Sequence, residues 1–274
     1  MPVFRASSRP LIVLASILLT APAARAQAPT AAAPAAAAPA SAAPAASPAL
    51  AAILAEADAA YLLRDQPGKM AADLSALRKA ETIAPDDYEV LWRLARHHYW
   101  LADDPQIANE EKARIGKLAW AYGDRATQAN PGRVEGWFFA SAGVGMYSLG
   151  ISIVTALFDG MESKYVDRLK KAQSADPAFY QHGADVAWGR YYYELPWPKY
   201  DGEKSERAYR KALRSSPVNL RAKVYLADLY AKEDHPAEAR KLLEAVLAAK
   251  PGAYDEPEER RCQALARAAL AQIK

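Results

Sequence analysis

The chain has 274 residues, 51% of them hydrophobic and 24% charged, which excludes disorder throughout and leaves room for one large domain or two small ones. Its 35 basic and 32 acidic side chains give a formal charge of +3, but Met1 to Ala26 holds Arg5, Arg9 and Arg25 and no acid, so losing that segment leaves 32 against 32. A neutral chain has no overall attraction for phosphate backbones or anionic lipid, which argues against a nucleic-acid-binding protein, and the single cysteine, Cys262, excludes an intrachain disulfide.

Arg5 and Arg9 precede an apolar run from Leu11 to Leu19, and Ala24-Arg25-Ala26 gives the small-x-small pattern that a signal peptidase cuts. Residues 1–26 are therefore predicted as a cleaved signal peptide. A retained anchor is disfavoured, because the apolar run is about half the roughly 20 residues that cross a bilayer. Residues 27–48 are almost entirely Ala and Pro with some Ser and Thr, a composition with nothing to bury, and are read as a disordered linker.

From Ala49 onward Gly is scarce and Ala, Leu, Glu, Lys and Arg dominate, which favours helix. Leu50, Ile53, Leu54, Ala57 and Tyr61 form a one-sided apolar stripe, as do Ile115, Leu118, Ala119, Tyr122 and Ala126. Five helix endings share a signature: Ala80 before Pro85, Ala126 before Pro131, Ala172 before Pro177, Ala212 before Pro217 and Val246 before Pro251, always five positions apart. A small or branched residue followed by that proline marks the end of the second helix in a tetratricopeptide (TPR) repeat. Successive prolines are spaced by 46, 46, 40 and 34 residues, the last being the TPR period itself. Residues 49–274 are therefore predicted as an all-α, TPR-like helix-pair solenoid. Gly123 is the misfit, sitting where the repeat asks for a large side chain. Pro257 to Ile273 opens with Pro and Glu and then carries Cys262, Leu265, Ala266, Ala269, Leu270 and Ile273 on one stripe, which reads as the C-terminal capping helix with its polar face to solvent.

The run Asp176-Pro177-Ala178-Phe179, Gly183-Ala184, Gly189-Arg190-Tyr191-Tyr192, Leu195-Pro196, Asp201-Gly202, Lys204-Ser205 and Pro217 with Asn219-Leu220 resembles the T-component family of TRAP transporters. The resemblance covers the C-terminal half well and residues 49–130 weakly. It implies an exported, periplasmic accessory protein of a Gram-negative envelope, a periplasmic solute-binding protein as partner, and a hydrophobic passage for a small organic ligand. The chain departs from that family in having no lipoprotein cysteine and in carrying Lys199-Tyr200 where a double glycine is common.

Between Glu135 and Asp159 the chain carries no charge for 23 residues, Gly136 to Phe158. The length suits a membrane span, but Gly136, Gly143, Gly145 and Gly150 lower its apolarity and the proline register continues across it, leaving buried core and ligand-lining wall as the readings. The inward positions of the first helices give Trp92, Arg96 and Tyr99, then Phe138 and Ala142, then Ala184, Trp188 and Tyr191, then Val224 and Asp228. Of these, Trp92, Arg96, Tyr99, Phe138, Trp188 and Tyr191 are the candidate binding residues. So many aromatics with few cations suit an apolar ligand or an amphipathic segment, with organic acids or lipids as the expected ligands. The alternative is a sharply wound array that packs this face against itself.

His97 and His98 are adjacent and point about 100° apart on a helix, so they are read as core or groove-edge residues rather than a metal pair. His182 with Asp185 and His235 with Glu238 lack further ligands, and Cys262 lies on an apolar stripe. Nucleotide-loop, serine-hydrolase, zinc-protease and calcium-loop patterns are missing, so neither a cofactor nor an enzymatic activity is expected. The predicted function is an exported TPR-like accessory protein that binds a periplasmic partner and an apolar small ligand, with a ligand-free interaction scaffold as the alternative; self-association stays open.

Overall fold

The computed structural model describes residues 47–273, so the expected signal peptide and nearly all of the Ala/Pro-rich segment lie outside the described residues. In chain order the helices are α1 (Pro48–Tyr61), α2 (Lys69–Ile83), α3 (Tyr88–Ala102), α4 (Asn109–Ala129), α5 (Val134–Ile151), α6 (Ile153–Phe158), α7 (Met161–Ala175), α8 (Phe179–Glu194), α9 (Gly202–Ser215), α10 (Leu220–Lys232), α11 (Pro236–Ala248) and α12 (Glu256–Leu270). No strand occurs among the described residues. The helices pair as α1 with α2, α3 with α4, α5 with α7, α8 with α9, and α10 with α11, and α12 packs on the last pair. This is the helix-pair solenoid that the proline register predicts.

The punctuation works through the backbone. After α2, α4, α7 and α9 the next residue's N–H bonds back to the carbonyl of Ala80, Ala126, Ala172 and Ala212, and proline, which cannot continue a helix, follows. Those four alanines and Val246 of α11 are completely buried, because the partner helix crosses at that point. The long repeats spend their extra residues visibly: α4 runs for 21 residues, and the six-residue α6 is inserted between α5 and α7.

Gly143 and Gly150 of the uncharged stretch are explained by a backbone-to-backbone seam between α4 and α5. A Cβ on Gly143 would stand 2.3 Å from the Trp120 amide nitrogen, and one on Gly150 would stand 2.5 Å from that of Ala113. From the other side, a Cβ on Gly116 or Gly123 would lie 2.6 Å from the backbone of Tyr147 or Ala140. Two glycines seven residues apart on each helix therefore let the axes approach along their length, which also resolves the misfit at Gly123. None of the described helices is long and apolar enough to cross a membrane, and the uncharged stretch instead supplies a core helix.

The polar face of α12 looks out to solvent only in part: Glu256, Arg260 and Arg267 are exposed, whereas Glu258 and Arg261 are turned inward. Its residues meet the first two repeats: Arg64, just after α1, pairs with Asp255 at 2.6 Å, and Asp65 pairs with Arg260 at 2.7 Å. Asp103, the C-cap of α3, takes Arg221 of α10 at 2.8 Å and Arg261 of α12 at 3.2 Å. Arg261 also stacks on Trp100 with 3.2 Å between guanidinium carbon and ring centroid. Arg260 and Arg261 of the capping helix thus tie the end of the array to its beginning.

Candidate ligand chamber

Closing the array encloses a chamber of about 170 Å³. One wall is the face of α5 opposite the glycine seam, presenting Phe138, Ala142, Gly145, Met146 and Leu149. Ile153, Ala156 and Leu157 of α6 continue it, and Met161 and Tyr165 of α7 carry it to α8. The remaining walls come from α3 through Tyr99, from α10 through Leu220, Arg221 and Tyr225, and from α12 through Glu258 and Cys262.

The start of α8 shapes the floor. Tyr180, Gln181 and His182 take left-handed conformations with φ of 53°, 53° and 61°. Non-glycine residues pay about 1–2 kcal/mol each for that geometry. Tertiary contacts hold it: Asn219 Nδ2 donates to the Gln181 carbonyl at 2.8 Å, and the Tyr180 ring lies 5.4 Å from Phe138 and 6.5 Å from Tyr254 between centroids. The turn aims Tyr180 into the chamber. At the next residue the absence of a side chain on Gly183 makes room for the Phe138 ring.

Tyr99, Tyr165, Tyr180 and Tyr225 are surrounded by protein yet keep accessible surface, the combination produced by facing the chamber. Burial pushes all four phenols above their ordinary range, so they remain neutral hydroxyls at physiological pH. Tyr165 donates to the Ala187 carbonyl at 3.1 Å, and Tyr225 accepts from Arg221 at 3.1 Å. Burial likewise raises the Cys262 thiol, with the Glu258 carboxylate adding to the effect, so it is a packed thiol rather than a nucleophile.

Of the six residues singled out in the sequence, Tyr99, Phe138 and Tyr191 line the chamber. Trp92, Arg96 and Trp188 lie elsewhere. Trp92 donates to Glu89 at 2.8 Å and carries Arg93 and Arg96 on its ring. Arg96 pairs with Asp58 at 2.7 Å and covers the Tyr61 ring at 3.8 Å, tying α3 to α1. Trp188 donates to Gln173 of α7 at 3.0 Å. The stripe of α8 that reaches the chamber is Gly183, Val186, Ala187, Arg190, Tyr191 and Glu194, so that of the expected Ala184, Trp188 and Tyr191 only Tyr191 lies on it. Ala142 reaches the chamber as expected, whereas Met146, Leu149, Tyr180 and the α12 residues were not legible from repeat positions. The charge-free stretch was the usable signal for Met146 and Leu149, since a helix apolar on both faces must cover two surfaces.

His97 and His98 are core residues. His97 Nδ1 meets Asp73 of α2 at 2.6 Å with both side chains buried, and His98 stacks on Tyr122 at 5.6 Å. Asp185 is bonded to Gln173 and Lys211 rather than to His182. Among the described residues no group of three His, Cys, Asp or Glu side chains converges as a metal site would need.

Compared with known proteins, the sequence matches no protein family and no individual curated protein. Among solved structures the chain is similar to TTC0263, described as a thermophilic TPR protein of Thermus thermophilus, with a TM-score of 0.61 and 19% identity over 81% of this chain and 99% of that one. Two structures of MamA are also similar, with TM-scores of 0.44 and 0.42 at 14% and 17% identity, covering 78% and 72% of this chain and 93% and 92% of theirs. The likeness to TTC0263 and the helix-pair order define a TPR-like α-solenoid.

Proposed function

We propose that this protein is an exported, non-catalytic TPR-like accessory protein that holds a small apolar ligand in the chamber and presents it to a periplasmic partner. The chamber carries this reading: most of its wall is built from apolar and aromatic side chains, among them Phe138, Met146, Leu149, Ile153 and Tyr165. Apolar space left inside a folded core costs stability, so its retention argues for an occupant. The partner is a periplasmic solute-binding protein, as the resemblance to TRAP T-components implies. Phe158 of α6 and Trp197 of the α8–α9 loop are 88% and 89% exposed and give such a partner apolar anchors on the outer surface.

Uptake of the fluorescent apolar probe 1-N-phenylnaphthylamine tests the chamber. Ala142→Trp, which fills the space beside Phe138, abolishes the uptake; equal uptake by the variant places the site elsewhere. Co-purification with a solute-binding protein from periplasmic extract, lost on Phe158→Ser with Trp197→Ser, tests the partner.

A further inference from the structure

Several charged side chains reach the chamber, and their bonding decides what chemistry it accepts. Arg190 lies on Glu194 at 2.6 Å and on Asp228 at 3.1 Å. Arg221 is divided between Asp103 at 2.8 Å and Glu258 at 2.7 Å. Among the acids, Glu162 accepts from Tyr191 at 2.6 Å and from Lys199, and Asp255 pairs with Arg64 at 2.6 Å. Glu259 accepts the backbone N–H groups of Gly252 and of Tyr254, the latter at 3.0 Å. Every charge at the wall is thus answered inside the protein.

The neutral polar groups behave differently. Among the described residues, the hydroxyls of Tyr99 and Tyr180 have no hydrogen-bond partner, although both belong to the lining, and the Gln181 amide beside them is also free. Burial keeps the two phenols protonated. The unsatisfied hydrogen-bonding capacity of the chamber is therefore carried by uncharged groups.

From this we infer that the ligand is uncharged: a hydrophobic molecule with a hydroxyl or carbonyl oxygen placed against Tyr99 and Tyr180, and not a carboxylate, phosphate or amine. A carboxylate entering the chamber would be desolvated with no free cation to meet it, and an ammonium would find no free acid. A volume of about 170 Å³ is close to that of apolar protein cavities that take up benzene-sized molecules, so a ring or short chain fits inside and a longer tail extends through the opening. The inference rests on the chamber being a ligand site, and it narrows the expected ligands by removing organic acids.

The test is a titration of the full-length chain at pH 7.5 with three probes of one chain length, 1-decanol, decanoate and decylammonium, read by calorimetry. The expected result is that decanol binds at least tenfold more tightly than either ion. Binding of decanoate or decylammonium as tight as that of decanol overturns the inference and leaves the chamber standing as a site. Failure of all three to bind overturns the chamber as a ligand site, and the preference with it. Tyr99→Phe and Tyr180→Phe, which keep the rings, each weaken decanol about threefold to tenfold while leaving benzene binding unchanged. If both variants bind decanol like the unaltered chain, the placement of the ligand oxygen is overturned.

Discussion

Arg64 and Asp255 stand 191 positions apart in the chain and share an ion pair of 2.6 Å in which the arginine side chain is 1% exposed. The Arg64 guanidinium also lies over the rings of Tyr61 at 4.4 Å and Trp100 at 4.2 Å. One residue thus joins α1, α3 and the start of α12, and with Asp103 it holds the end of the solenoid against its beginning.

Asp255→Asn keeps an N-cap side chain for α12 and removes only the charge, leaving Arg64 buried without its counter-ion. The expected loss is about 3 kcal/mol in urea unfolding. The double variant Arg64→Met with Asp255→Asn recovers part of that loss, because the stranded charge is gone. A single variant within about 0.5 kcal/mol of the unaltered chain would show that the pair does not hold the closure.

The glycine seam gives a prediction opposite to helix propensity. Replacing a mid-helix glycine by alanine favours the helix by about 1 kcal/mol when the space is free. At Gly143 and Gly123 the new methyl meets backbone at 2.3 and 2.6 Å, so Gly143→Ala and Gly123→Ala each cost at least about 2 kcal/mol by thermal unfolding. Gly132→Ala is the control: its nearest neighbour lies at 3.5 Å, and stability stays within about 0.5 kcal/mol.

Burial holds the His98 imidazole down at about 3, and the neighbouring His97, Arg78 and Arg114 act in the same direction. Unfolded, the same ring titrates near 6.5, so the folded state binds fewer protons. The stability His98 contributes is fully present above about pH 6.5 and is lost as the pH falls toward 3, by up to about 1.4 kcal/mol per unit. Urea midpoints at pH 7 and pH 5 measure this, and His98→Leu flattens the difference by the same amount. An unchanged slope in the variant assigns the acid sensitivity to other groups.

The part of the fold that repeats was legible in the sequence. Ala80, Ala126, Ala172, Ala212 and Val246 occupy one packing position, and proline marks each one, so local chemistry reported the tertiary arrangement. The chamber was legible where a repeat position coincided with it, at Tyr99, Phe138, Ala142 and Tyr191, and in the charge-free stretch that supplies Met146 and Leu149. Trp92 and Trp188 occupy inward repeat positions yet stay outside the chamber lining. The phase of α8 follows from its left-handed turn at Tyr180 to His182, and the surroundings of Trp92 depend on the acids Asp58 and Glu89. Closure was invisible for a related reason: Arg64, Asp65 and Asp103 read as solvated charges until residues some 120 to 195 positions away are brought beside them.

The most direct test of the chamber is native mass spectrometry of the protein isolated from its own cells. The expected result is a small adduct that dissociates as a neutral molecule and is missing from Ala142→Trp prepared in the same way. A bare polypeptide mass from the unaltered chain under conditions that preserve the fold, or an adduct retained in full by Ala142→Trp, would contradict it.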